Sequence, residues 1–68
     1  MKPLVFTDQQ KAVMRLLCDG LSQQAIADRL GLKVTGVKSH LQLIYKKLDV
    51  SGGVEAVMKI KELGLLEE

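Results

Sequence analysis

The sequence predicts an all-α protein, a single four-helix bundle, and three observations carry that prediction. Four segments repeat apolar residues at helical spacing, none alternates apolar and polar residues over the length of a strand, and each is bounded by capping or breaking residues. A chain of 68 residues has room for one compact domain, near the lower limit at which a hydrophobic core sustains a fold without staples. Its 47% hydrophobic and 26% charged residues give an ordinary globular balance and exclude a disordered chain.

The first helix opens at Thr7, which with Gln10 three residues later forms a capping-box signal. Val13, Leu16 and Leu17 then recur at helical spacing until Asp19-Gly20. Ser22 caps a second helix of about two turns, in which Ile26, Ala27 and Leu30 share a face, and Gly31 supplies the permissive backbone that its end requires. The third helix, Val34 to Leu48, has the clearest pattern, because Val37, Leu41, Ile44 and Leu48 form a narrow stripe. Asp49-Val50-Ser51-Gly52-Gly53 breaks that pattern. A fourth helix runs from Val54 to Leu63, with Ala56, Val57, Ile60 and Leu63 toward the core, Val54, Met58 and Lys61 outward, and Gly64 as its stop. There is no internal repeat and no low-complexity linker.

Composition excludes several functions. Phe6 and Tyr45 are the only aromatics, so an aliphatic core is expected and there are no stacking platforms for splayed single-stranded bases. The single cysteine, Cys18, has no partner for an internal disulfide and reads as a small packing residue, which fits a reducing cytosol. With one histidine, His40, it falls short of a zinc set, and no metal or other cofactor is expected. Without a glycine-rich phosphate loop or carboxylates paired at helical spacing, the chain lacks the parts of an enzyme. The start Met1-Lys2-Pro3-Leu4-Val5-Phe6 has the look of a leader, but Thr7-Asp8-Gln9-Gln10-Lys11 interrupts it, and no run approaches membrane-spanning length. The reading is a cytoplasmic protein with no membrane partner.

The net charge of +2 is too small to identify a polyanionic partner, so the arrangement of charges decides. Helices two and three are separated only by Gly31-Leu32-Lys33, a turn short enough to force the sharp crossing of a helix-turn-helix. Ala27 supplies a small residue where the two helices touch, and Val37 seats the second. On the outer face of helix three, Lys38, Gln42, Thr35, Lys46 and Ser39 fall between about 100° and 200° from Val37, opposite the core stripe. None is acidic, and the chain has no carboxylate between Asp28 and Asp49, an interval that holds Lys33, Lys38, Lys46 and Lys47. Solvated faces usually mix signs, whereas an unmixed positive face suits phosphate. A module docking another protein is the competing reading, but that use would favour an apolar anchor on this face. His40 borders the core stripe and reads as a packed or capping residue rather than a ligand or pH switch.

Taken in order, Thr7, Val13, Leu16-Leu17, Gly20-Leu21-Ser22, the glutamines before Ile26-Ala27, Leu30-Gly31-Leu32, Val37-Lys38-x-His40-Leu41, Ile44-Tyr45-x-Lys47-Leu48, Val50-Ser51 and Glu55-Ala56-Val57 resemble the LuxR/FixJ-type DNA-binding domain over nearly the whole chain. The resemblance implies a four-helix domain, residues 1–68, acting as the C-terminal output module of a longer regulator. It implies sequence-specific binding of double-stranded DNA for transcription regulation, by a response regulator of a two-component system or alternatively a quorum-sensing regulator, as a homodimer at least on DNA. RNA polymerase is a further candidate partner. Carried over by position, base-edge contacts fall on Lys38, Ser39 and Gln42. Phosphate contacts fall on Ser22, Gln24, Lys33, Thr35, Lys46 and Lys47, and dimer contacts on Val54, Met58 and Lys61 of helix four. The chain departs from the family where Gln10 replaces a common glutamate, Gly36 a threonine, Asp49 a glycine and Gly53-Val54 an arginine-threonine pair.

Overall fold

The computed structural model describes residues 4–66, which form four α-helices, α1 (Asp8–Cys18), α2 (Gln23–Leu30), α3 (Val34–Leu48) and α4 (Gly53–Leu63), with no strand among them. The start at Met1-Lys2-Pro3 lies outside the described residues.

Local chemistry sets each boundary. At α1 the capping box is complete: the Gln10 backbone N–H donates to Thr7 Oγ1 at 3.1 Å, and the Thr7 N–H donates to Gln10 Oε1 at 2.9 Å. Gln10 is 6% exposed, so its neutral amide closes the box without the desolvation cost that a glutamate carboxylate would bring there. Ser22 Oγ accepts from the Ala25 N–H and starts α2. Gly31 ends α2 in the left-handed region at φ 68°, a conformation that costs an ordinary side chain roughly 1–2 kcal/mol. That residue turns the chain sharply, and Leu32 and Lys33 suffice to lead into α3. Asp49 closes α3 at φ 56°, left-handed without glycine, which aspartate tolerates better than most residues. Helix α4 starts at Gly53, one residue before the expected Val54, because Gly52 takes the extended capping position and its carbonyl accepts the Ala56 N–H at 3.0 Å.

α1 and α3 each touch the other three helices, whereas α2 and α4 do not meet. Packed between them is the expected α3 stripe of Val37, Leu41, Ile44 and Leu48, all buried, with Val13 and Met14 of α1, Ile26 and Ala27 of α2, and Ala56 and Ile60 of α4. Three expectations are corrected. The core is not wholly aliphatic, since Phe6, in the extended segment before α1, is buried in it. Leu63 is 47% exposed because α4 stops at Gly64, and the turn beyond it lays Leu65 and Leu66 against the core instead. Leu16, Leu17 and Cys18 are half-buried at its margin, whereas Val57, also expected toward the core, is half-buried on the wall of a groove between α1 and α4.

Gly36 lies in the first turn of α3, where an added Cβ would meet nothing within 4 Å and the backbone is not left-handed. Gly36→Ala is therefore expected to stabilise the domain by up to about 1 kcal/mol through helix propensity. For a domain of this size that is a rise of roughly 4–8 °C in Tm. A Tm in thermal circular dichroism that stays put or falls would show a hidden constraint at this position.

Candidate nucleic-acid interface

The α2–α3 crossing presents the outer face of α3 beyond the core stripe. Thr35, Lys38, Ser39, Gln42 and Lys46 are all exposed and lie on that face together, as the periodicity requires. The side chains of Lys38, Gln42 and Lys46 make no hydrogen bond or ion pair among the described residues, so their donors are free for a ligand. The Ser39 hydroxyl is occupied, donating to the Thr35 carbonyl one turn back at 3.1 Å, and retains only its lone pairs for an outside group.

The helix ends add to the positive character. Neither α2 nor α3 has an acidic residue in its first turn, whereas α1 has Asp8 and α4 has Glu55. The partial positive charge at the two N-termini of the helix-turn-helix is thus uncompensated. Lys33, exposed, is the N-cap of α3 and makes no side-chain cap hydrogen bond. At α2 the Ser22 hydroxyl is engaged with Ala25, and Gln24 Nε2 donates to Asp28 Oδ1 at 3.0 Å, so both already have internal partners. Arg29, exposed in the last turn of α2, is a further cation within the acid-free interval that the sequence reading passed over.

Lys47 does not join this face. Its Nζ donates to the Val5 carbonyl at 2.9 Å and stands 5.2 Å from the centroid of the Phe6 ring. The helical period already sets Lys47 off the outward arc, but no local signal could have revealed its partner, because Val5 lies 42 residues away. His40 is half-buried, and its Nδ1, fully enclosed, has no hydrogen-bond partner, which agrees with a packed ring rather than a capping one. Leu43, 52% exposed, is the one large apolar side chain that α3 leaves in solvent.

Of the residues expected at a dimer contact, Val54 and Met58 are large hydrophobics left exposed, at 78% and 65%, and Lys61 is exposed one turn on. Val54 and Met58 border an apolar groove of about 430 Å³ between the end of α1 and the start of α4, lined also by Leu17, Leu21 and Val57. Gly53 forms part of its wall, and a Cβ there would come within 3.3 Å of the Tyr45 hydroxyl. Cys18 lies in the same groove. Burial pushes its thiol above the ordinary pKa, with Lys61 opposing and Asp19 adding, so the thiol stays protonated and behaves as a packing group.

These features define a helix-turn-helix domain of the class that transcription regulators carry. The chain belongs to the GerE family, bacterial regulatory proteins of the luxR type, whose pattern it matches over residues 4–60. It is 36% identical over 58 residues to the transcriptional regulatory protein DesR of Bacillus subtilis, covering 85% of this chain and 29% of that protein. To the transcriptional regulatory protein YdfI of the same organism it is 37% identical over 60 residues, covering 88% of this chain and 28% of YdfI. Its fold is similar to that of the transcription factor GerE, with a TM-score of 0.80 at 27% identity over 93% of this chain and 92% of GerE. The chain thus spans less than a third of the length of these two regulators. No helix among the described residues is long and apolar enough to cross a membrane.

Proposed function

We propose that this domain binds double-stranded DNA in a sequence-selective manner as the output module of a bacterial transcription regulator, with α3 lying in the major groove. The observation that carries the reading is the outer face of α3: exposed, free of acids, and bearing Lys38, Gln42 and Lys46 with unengaged donors beside two uncompensated helix N-termini. A face of this kind draws phosphates by charge and can reach base edges by hydrogen bonds. Lys38 and Gln42 are assigned to bases, with Ser39 a minor reader. Lys33, Thr35, Lys46 and the N-terminus of α2 with Ser22 and Gln24 are assigned to the backbone. Membership in a response regulator is the preferred context, supported by the 32% identity over 59 residues to the response regulatory protein YgeK of Escherichia coli.

The test is fluorescence anisotropy against a randomised duplex pool and an unrelated acidic polymer at about 50 and 200 mM salt, a range over which phosphate-driven binding falls steeply. Salt-sensitive binding that selection sharpens to one sequence establishes the function. Equal affinity for duplex and polymer refutes it in favour of a protein-docking module.

The exposed Val54–Met58 edge of α4 and its groove support a homodimer, formed at least on DNA. Met58→Glu is expected to abolish paired occupancy of a duplex with two half-sites while leaving binding to a single half-site intact, as read by sedimentation. Paired occupancy that survives the substitution removes α4 from the interface.

A further inference from the structure

We propose that Lys47 is a positioning residue for DNA binding: a latch that fixes the C-terminal half of the recognition helix to the segment leading into α1, and not itself a phosphate contact. The proposal rests on the reading of α3 as the groove-facing helix.

Geometry supplies the argument. Lys47 lies about 100° around α3 from its neighbour Lys46, which places it off the outward arc shared by Lys38, Gln42 and Lys46. Its ammonium is held from two directions by consecutive residues of one extended segment, at 2.9 Å by the Val5 carbonyl and at 5.2 Å by the face of Phe6. That segment is anchored where it leads into α1. Phe6 is 7% exposed within the core, and the next residue, Thr7, is the N-cap of α1. The lysine therefore ties the end of α3 to the start of α1 across the whole fold, in the last turn of the helix whose penultimate turn presents Gln42. A recognition helix reads bases only when its side chains are held to within a fraction of an ångström of their partners. A tie at its far end restrains rocking of α3 on the core, and the same engagement turns the ammonium away from the duplex.

The two roles leave different signatures in the salt dependence of binding. A lysine on phosphate contributes about 0.9 to the slope of log K against log salt, whereas a latch contributes nothing to it. Lys47→Met keeps an unbranched apolar side chain and removes the charge and the donor. Measured on a selected duplex between about 50 and 200 mM salt, it is expected to weaken binding roughly three- to tenfold at every salt concentration, with the slope unchanged. In the free domain the Phe6 ring resonances are expected to shift. Phe6→Leu, which cannot touch DNA from the core, is expected to weaken binding as well, and the double variant to be no weaker than the worse single one, because both break the same tie. Circular dichroism at the binding temperature confirms that each variant is folded; if Phe6→Leu unfolds, the slope of Lys47→Met alone decides. A slope flattened by about one unit would overturn the proposal and make Lys47 a phosphate contact, as would strictly additive losses in the double variant. Unchanged affinity would overturn it too. Lys46→Ala separates this failure from failure of the DNA reading: with α3 in the groove it flattens the slope, and if the unaltered chain binds no duplex, the DNA reading falls and takes the latch with it.

Discussion

Lys38→Ala is expected to weaken binding to the selected duplex by on the order of 1–3 kcal/mol, about five- to 150-fold, and to relax the preference at one base position. The side chain is exposed on the outer face of α3, one residue after the fully buried Val37, and has no internal partner to lose. Its removal should therefore leave the fold intact, and any loss belongs to the interface. Lys46→Ala, two turns further along, should instead weaken all duplexes about equally and flatten the salt slope by roughly one unit. Competition anisotropy with single-base variants of the selected site measures both effects. Unchanged affinity and unchanged base preference for Lys38→Ala would show that another face enters the groove.

A larger effect on the fold is expected from Ile44→Ala. Ile44 is fully buried in the α3 stripe, and truncating it removes apolar contacts and leaves a cavity, at a cost of about 2–5 kcal/mol. Native domains are stable by only about 5–15 kcal/mol, and small ones lie toward the bottom of that range. The variant should lose much of its urea midpoint with the slope of unfolding unchanged, and should bind DNA only in proportion to the folded fraction. Leu43→Ala is the control. That side chain is one residue earlier but 52% exposed, so its truncation should cost under about 0.5 kcal/mol. Similar losses for the two variants would mean that α3 is rotated about its axis from the register described above.

Much of the interface was legible before any coordinates because it is local. The faces of α3 follow from a period of 3.6 residues, so one buried stripe of four residues also fixes what points outward. The capping box at Thr7 and Gln10, the turn at Gly31 and the bounds of α3 are likewise written in residues no more than four apart. Less legible was what each polar side chain does once the outward face is fixed. Ser39 could be foreseen to bond back to Thr35, since that contact is intrahelical, whereas the pairing of Gln24 with Asp28 was one of several open to an exposed amide.

The sequence by itself determined the four helices, the sharp α2–α3 turn, the sign of the charge on the outer face of α3 and the family to which the chain belongs, because each depends on short-range periodicity or on an ordered set of residues. Only the tertiary structure decided that Phe6 enters the core, that Leu65 and Leu66 replace Leu63 against it, that Val54 and Met58 border an open groove, and that Lys47 engages the Val5 carbonyl and the Phe6 ring. The physical reason is distance along the chain. The helical period separates Lys46 from Lys47 around α3, but the engagement of the Lys47 ammonium depends on a carbonyl and a ring that come from the other end of the chain.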